Sequence, residues 1–75
     1  MFQKLKRLIE NGDEIEFRVF GKMYSVIPLD NSVVIGPKYE DDATFPDVDS
    51  MMEQYIISGQ PLKNILDHIE IERIY

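Results

Sequence analysis

No cysteine occurs among the 75 residues, so neither a disulfide nor a thiolate-held metal can staple the chain. There is a single histidine, His68. A catalytic histidine needs a partnered nucleophile or acid, and a metal site needs further ligands. Its neighbours Asp67 and Glu70 point in other directions on a helix, so His68 reads as exposed and uncommitted. The four glycines, Gly12, Gly21, Gly36 and Gly59, stand singly, which excludes a phosphate-cradling loop. Ser25, Ser32, Ser50 and Ser58 lack a nucleophile-elbow or Ser-x-x-Lys context. No apolar run is long enough for a signal peptide or a membrane span, and Met1-Phe2-Gln3-Lys4 leads into an amphipathic segment. These absences point to a cytoplasmic protein that is not an enzyme and uses no cofactor, metal or membrane.

Basic residues are also few, and they are unevenly placed. The formal net charge is −6, divided as +1 over residues 1–25 and −7 over residues 26–75. Phosphate-backbone affinity comes from Lys and Arg displacing counterions, so direct nucleic-acid binding is not expected. The plain consequence of the charge is solubility. A chain this short buries only about 60–65% of its unfolded surface. Its total stability should be on the order of 4–11 kcal/mol.

What is present is a clear hairpin. Ile15, Phe17 and Val19 alternate with Glu14, Glu16 and Arg18, and the alternation resumes with Tyr24 and Val26. A type I′ turn on Phe20-Gly21 would force bulky Phe20 to positive φ, whereas a type II′ turn on Gly21-Lys22 places glycine where φ must be positive. The spacing therefore favours Gly21-Lys22 as the turn. Ahead of the hairpin, Phe2, Leu5, Leu8 and Ile9 share one helical face and Asn11-Gly12 stops the helix. Lys4, Lys6 and Arg7 read as solvated stems covering apolar surface.

Ile27-Pro28-Leu29 ends the second strand, because Pro28 has no N–H to give a central ladder. Asp30-Asn31-Ser32 is a turn cluster, and Val33-Val34-Ile35 a third strand closed by Gly36-Pro37. Residues 38–47 carry no period and read as a loop whose far end Phe45 anchors. Asp47, Asp49 or Ser50 can cap a second helix with Met51, Met52, Tyr55 and Ile56 as its apolar side. Ser58-Gly59 breaks it and Pro61 starts a third helix, with Leu62, Ile65, Leu66 and Ile69 on one face. The tail from Ile69 to Tyr75 returns to period two, predicting a closing strand. The whole is one small α+β domain over residues 1–75, an antiparallel meander with helices on one face, in the order α-β-β-β-α-α-β. Its expected core is Leu5, Leu8, Ile9, Ile15, Phe17, Val19, Tyr24, Val26, Leu62, Ile65, Leu66 and Ile69.

Three runs carry a resemblance: Gly21-Lys22-Met23-Tyr24-Ser25, Ser58-Gly59-Gln60-Pro61-Leu62, and the ending Ile69-Glu70-Ile71-Glu72-Arg73-Ile74-Tyr75. In outline the chain resembles short uncharacterised proteins of Gram-positive bacteria and their phages or mobile elements. The resemblance implies a bacterial or phage origin and carries no catalytic residue with it.

For function, the long acidic stretch is the informative one. Glu40-Asp41-Asp42 lacks the glycine bend and alternating spacing of a calcium loop, and Pro46 separates it from Asp47 and Asp49. Acidic side chains around an aromatic centre instead suit a basic protein partner. The expected contact residues are Tyr39, Glu40, Asp41, Asp42, Phe45, Asp47 and Asp49. The leading expectation is thus a small acidic protein-interaction or regulatory domain. One alternative is a phage-type inhibitor that mimics nucleic-acid charge; the other is a homodimer joined through the C-terminal strand.

Overall fold

The hairpin alternation becomes a sheet with one buried face, and the helices of the chain close that face. The computed structural model describes residues 1–75. Strand β1 (Ile15–Val19) turns into β2 (Lys22–Leu29), then β3 (Ser32–Pro37) and β4 (Ala43–Phe45). Strand β7 (Glu70–Ile74) returns to pair with β1, giving the antiparallel order β4-β3-β2-β1-β7. The helices α1 (Phe2–Glu10) and α2 (Val48–Gln54) pack on the same side. This is the expected α+β class, with the sheet as its larger part. No helix is long and apolar enough to cross a membrane.

Register explains the core. Phe17 lies opposite Tyr24, Ile15 opposite Val26, and Val26 opposite Ile35, so the apolar sets of three strands share one face. Helix α1 adds Leu5 and Ile9, and α2 adds Val48, Met51 and Met52. Of the expected core only Leu8 falls short of full burial, resting partly covered against the cluster. Val33, Ile35, Val48, Met51, Met52 and Ile57 complete it. Pro28 fits its strand because β1 reaches only as far as Val26, leaving no neighbour on that side.

Four local expectations are corrected. The first turn is Phe20-Gly21, not Gly21-Lys22: Val19 pairs with Lys22, and both turn residues have positive φ, 50° and 75°. A type I′ turn matches the twist of the flanking strands, and that match outweighs the strain at Phe20. Residues 43–45, expected within a loop, form β4 against β3, too short to show a period.

The second helix ends at Gln54 rather than running to Ser58. Ile56-Ile57 and Gln60-Pro61 form a two-residue ladder, β5 (Ile56–Ile57) and β6 (Gln60–Pro61). Its turn is another positive-φ pair, Ser58-Gly59, and Ile56 is left exposed. Finally, the expected third helix is two 3₁₀ turns, Leu62–Asn64 and Leu66–His68. Eight residues containing Asn64, Asp67 and His68 are too few and too weakly helical to nucleate an α-helix. The i, i+3 bonds Ile65 N–H to Leu62 O and Ile69 N–H to Leu66 O still bury the same four apolar side chains.

Phe17 is completely buried at the centre of this arrangement. Phe17→Ala should cost about 3–5 kcal/mol, a large part of the total for a domain of this size. Urea unfolding of the variant checks this; a midpoint equal to the parent's would place Phe17 outside the core.

Candidate functional site

Strand direction divides the loops between two ends of the sheet. The β1–β2 turn, the β3–β4 loop and the entry into β7 lie at one end. The β2–β3 turn, the C-terminus of α1 and the N-terminus of α2 lie at the other, where they surround an open cleft of about 490 Å³. Glu10, Asp30 and Asp47 rim that cleft, and Ile9, Val33 and Val48 form its floor. His68 sits at the opposite end, its ring 5.4 Å from that of Phe20.

The seven residues expected as a contact surface are not used alike. Asp47 is the N-cap of α2, accepting the Ser50 N–H at 2.7 Å. That N–H, and then the Ser50 hydroxyl, hold its carboxyl below the ordinary aspartate range. Asp49 accepts from Lys6 at 3.1 Å and ties α2 to α1. Phe45 is half-buried with its ring edge-on to Tyr55 at 6.2 Å, which anchors the end of the loop as expected. Glu40 pairs with Lys22 at 2.8 Å, joining the β3–β4 loop to the β1–β2 turn.

Asp41 and Asp42 stand exposed, and their segment folds back over Gly36. A Cβ added at Gly36 would lie 2.9 Å from the Asp41 carbonyl oxygen and closer still to the Asp42 carboxylate. That approach requires glycine. Tyr39 contributes nothing to the fold: it is 96% exposed, at φ 67°, where the Glu40 N–H donates to the Pro37 carbonyl across the turn. Its one aromatic contact is with the Lys38 ammonium, 5.8 Å from the ring centre.

Lys38 fixes the base of this turn. Its N–H donates to the Met23 carbonyl, and its ammonium crosses the outer sheet face to Glu16 on β1 at 2.9 Å. Glu16 is itself nearly covered, although it points away from the core. Lys38 first, and then Arg73 on β7, hold the Glu16 carboxyl below the ordinary glutamate range, while the pairing raises Lys38. The Lys38–Glu16 pair thus fastens the end of β3 to β1.

Sequence reasoning missed Phe20 and Lys22 as members of this end. Phe20 is half-exposed on its turn, and Lys22 holds Glu40 beside it. The signal was a two-residue Phe-Gly loop between matched strands, which identifies the turn type once the register is known. Comparison of the chain with protein families, curated proteins and solved structures finds no match.

Glu16 also sets a pH dependence. Its folded-state value is depressed, so its contribution is present above the unfolded carboxylate range of about 4 and is lost as the pH falls through the lower folded value. Glu16→Gln should lower Tm at pH 7 and shrink the difference from the parent at acid pH. Thermal melts from pH 7 down to about pH 2.5 test this; a constant difference would show that the ion pair is not its source.

Proposed function

We propose that this protein is a small, non-enzymatic interaction domain that binds another protein through the end of the sheet where Phe20 and Tyr39 stand. The observation that carries the reading is the exposure of two aromatic residues in the left-handed region at neighbouring turn tips, linked by the Lys22–Glu40 pair. A left-handed conformation costs a non-glycine residue about 1–2 kcal/mol. Tyr39 returns none of it through burial, so folding does not account for its side chain. Aromatic side chains presented this way are the usual anchors of a protein interface.

Asp41 and Asp42 lie beside Tyr39 and favour encounter with a basic surface. Mimicry of nucleic acid carries less support, because Lys22 neutralises Glu40 and leaves two adjacent carboxylates in place of three. The non-enzymatic reading is supported by the position of the single histidine at the end opposite the cleft, in a chain without cysteine. A bacterial or phage origin, as the sequence resemblance implies, and a cytoplasmic setting suit such a regulatory contact.

Phe20→Asn and Tyr39→Asn test this, since asparagine accepts positive φ. Both variants should melt at or above the parent temperature. A partner captured from the source cells by the parent should bind the double variant at least tenfold more weakly in calorimetry. Equal affinity, or an identical set of captured proteins, would leave these aromatics without the proposed role.

A further inference from the structure

The two free edges of the sheet are built differently. Strand β4 is three residues long, follows Glu40-Asp41-Asp42 and is succeeded by Pro46, so length, charge and proline all blunt it. Strand β7 is five residues long, pairs only with β1, and leaves Ile74 half-exposed beside it.

The pairing of β7 with β1 contains one irregularity. Ile74 is opposite Ile15 and Arg73 opposite Glu16, but Ile71 is opposite Phe17, so Glu72 is an extra residue. Paired residues share a face, which puts both Ile71 and Ile74 on the side of the core. Arg73 lies on the outer side with Glu16. Glu72 accepts from Arg18 at 3.2 Å on that same outer side. The bulge therefore replaces simple alternation with the face order in, out, out, in over residues 71–74. That order is symmetric about the point between Glu72 and Arg73.

We infer that β7 is a self-recognition edge whose occupant is a second copy of this chain, paired antiparallel about a two-fold axis between Glu72 and Arg73. This register sets each Glu72 against Arg73 of the partner copy, each Ile71 against the partner's Ile74, and each Glu70 against the partner's Tyr75. The Glu72–Arg73 pairs set opposite charges together and the Ile71–Ile74 pairs set apolar against apolar, each pair on one face. In an unbulged strand, adjacent residues point to opposite faces and could not oppose each other in this way. Registers centred on Glu72 or on Arg73 place like charges together and are disfavoured. The result is an isologous dimer with a continuous sheet.

Sedimentation equilibrium should detect a reversible dimer of the parent at up to about 1 mM, the range suited to an interface this small. Increasing salt should weaken it. Glu72→Arg and Arg73→Glu should each reduce self-association at least tenfold, by placing like charges across the axis. An equimolar mixture of the two variants should recover association, because each then meets opposite charge. Isotope-filtered spectra of the parent should also show Ile71 methyls beside Ile74 methyls of the other copy. A parent that remains monomeric, variants that self-associate like the parent, a mixture that does not recover, or missing Ile71–Ile74 contacts in a dimer would each overturn the assignment.

Discussion

Phe17 stacks on Tyr24 with ring centres 5.4 Å apart and planes within 10° of parallel, and the other elements are arranged around that contact. It holds β1 against β2 on the buried face. From Tyr24 the aromatic chain continues edge-on to Tyr55 at the end of α2, and from Tyr55 edge-on to Phe45 on β4. On its other side Phe17 faces Ile71 of β7. One buried ring thus connects, directly or through neighbours, the hairpin, the edge strands and the second helix. In a chain without disulfides this continuity substitutes for a covalent staple. Burial first, and then the nearby Tyr24 hydroxyl and the Asp42 and Glu40 carboxylates, raise the Tyr55 hydroxyl above its ordinary value.

The parts of the fold legible in the residues were those with a period repeated often enough to register. Ile15, Phe17 and Val19 identified a buried strand face, and Phe2, Leu5 and Ile9 a helix face, because each pattern runs for several residues. Ala43–Phe45 was invisible for the opposite reason: three residues cannot display alternation, and β4 exists because β3 offers it a ladder. The segment from Leu62 to Ile69 shows a different limit. Its spacing identified which side chains are buried, yet 3₁₀ turns bury the same set as an α-helix would. Composition and length, more than spacing, distinguish the two.

The turns expose a competition that residue preference alone misjudges. Phenylalanine resists positive φ, and that argued against the Phe20-Gly21 turn. The strand twist argued for it, and five paired residues on each strand carried more weight than one strained residue. Ser58-Gly59 repeats the solution on a smaller scale. Tyr39 is a different case, because no long ladder flanks its turn on both sides. Its strain is sustained by Lys38 anchored to Glu16 and by Glu40 anchored to Lys22. Asp47 was legible as a helix cap and Phe45 as an anchor, Tyr39, Asp41 and Asp42 stand exposed, and the Asp49–Lys6 and Glu40–Lys22 pairs were not legible at all. A carboxylate ahead of a helix is marked as a cap by its position, but nothing in the sequence marks which distant cation a carboxylate will bridge.

That distinction changes the meaning of the acidic charge. Five of the eight basic side chains pair with carboxylates, and each pair joins two different elements or their loops. Four of these pairs are largely exposed and add little stability individually, whereas the carboxylate of the Lys38–Glu16 pair is nearly covered. Their effect is on position: Lys6–Asp49 orients α1 against α2, and Lys38–Glu16 orients the Tyr39 turn against the outer face. The excess charge that remains is dispersed over both ends of the sheet instead of being concentrated in one loop. An electrostatic field so divided is weak at a distance from either end. At one end of this sheet Phe20 and Tyr39 protrude, and the turn that carries Tyr39 is held between the Lys38–Glu16 and Lys22–Glu40 pairs, which the net value of −6 conceals.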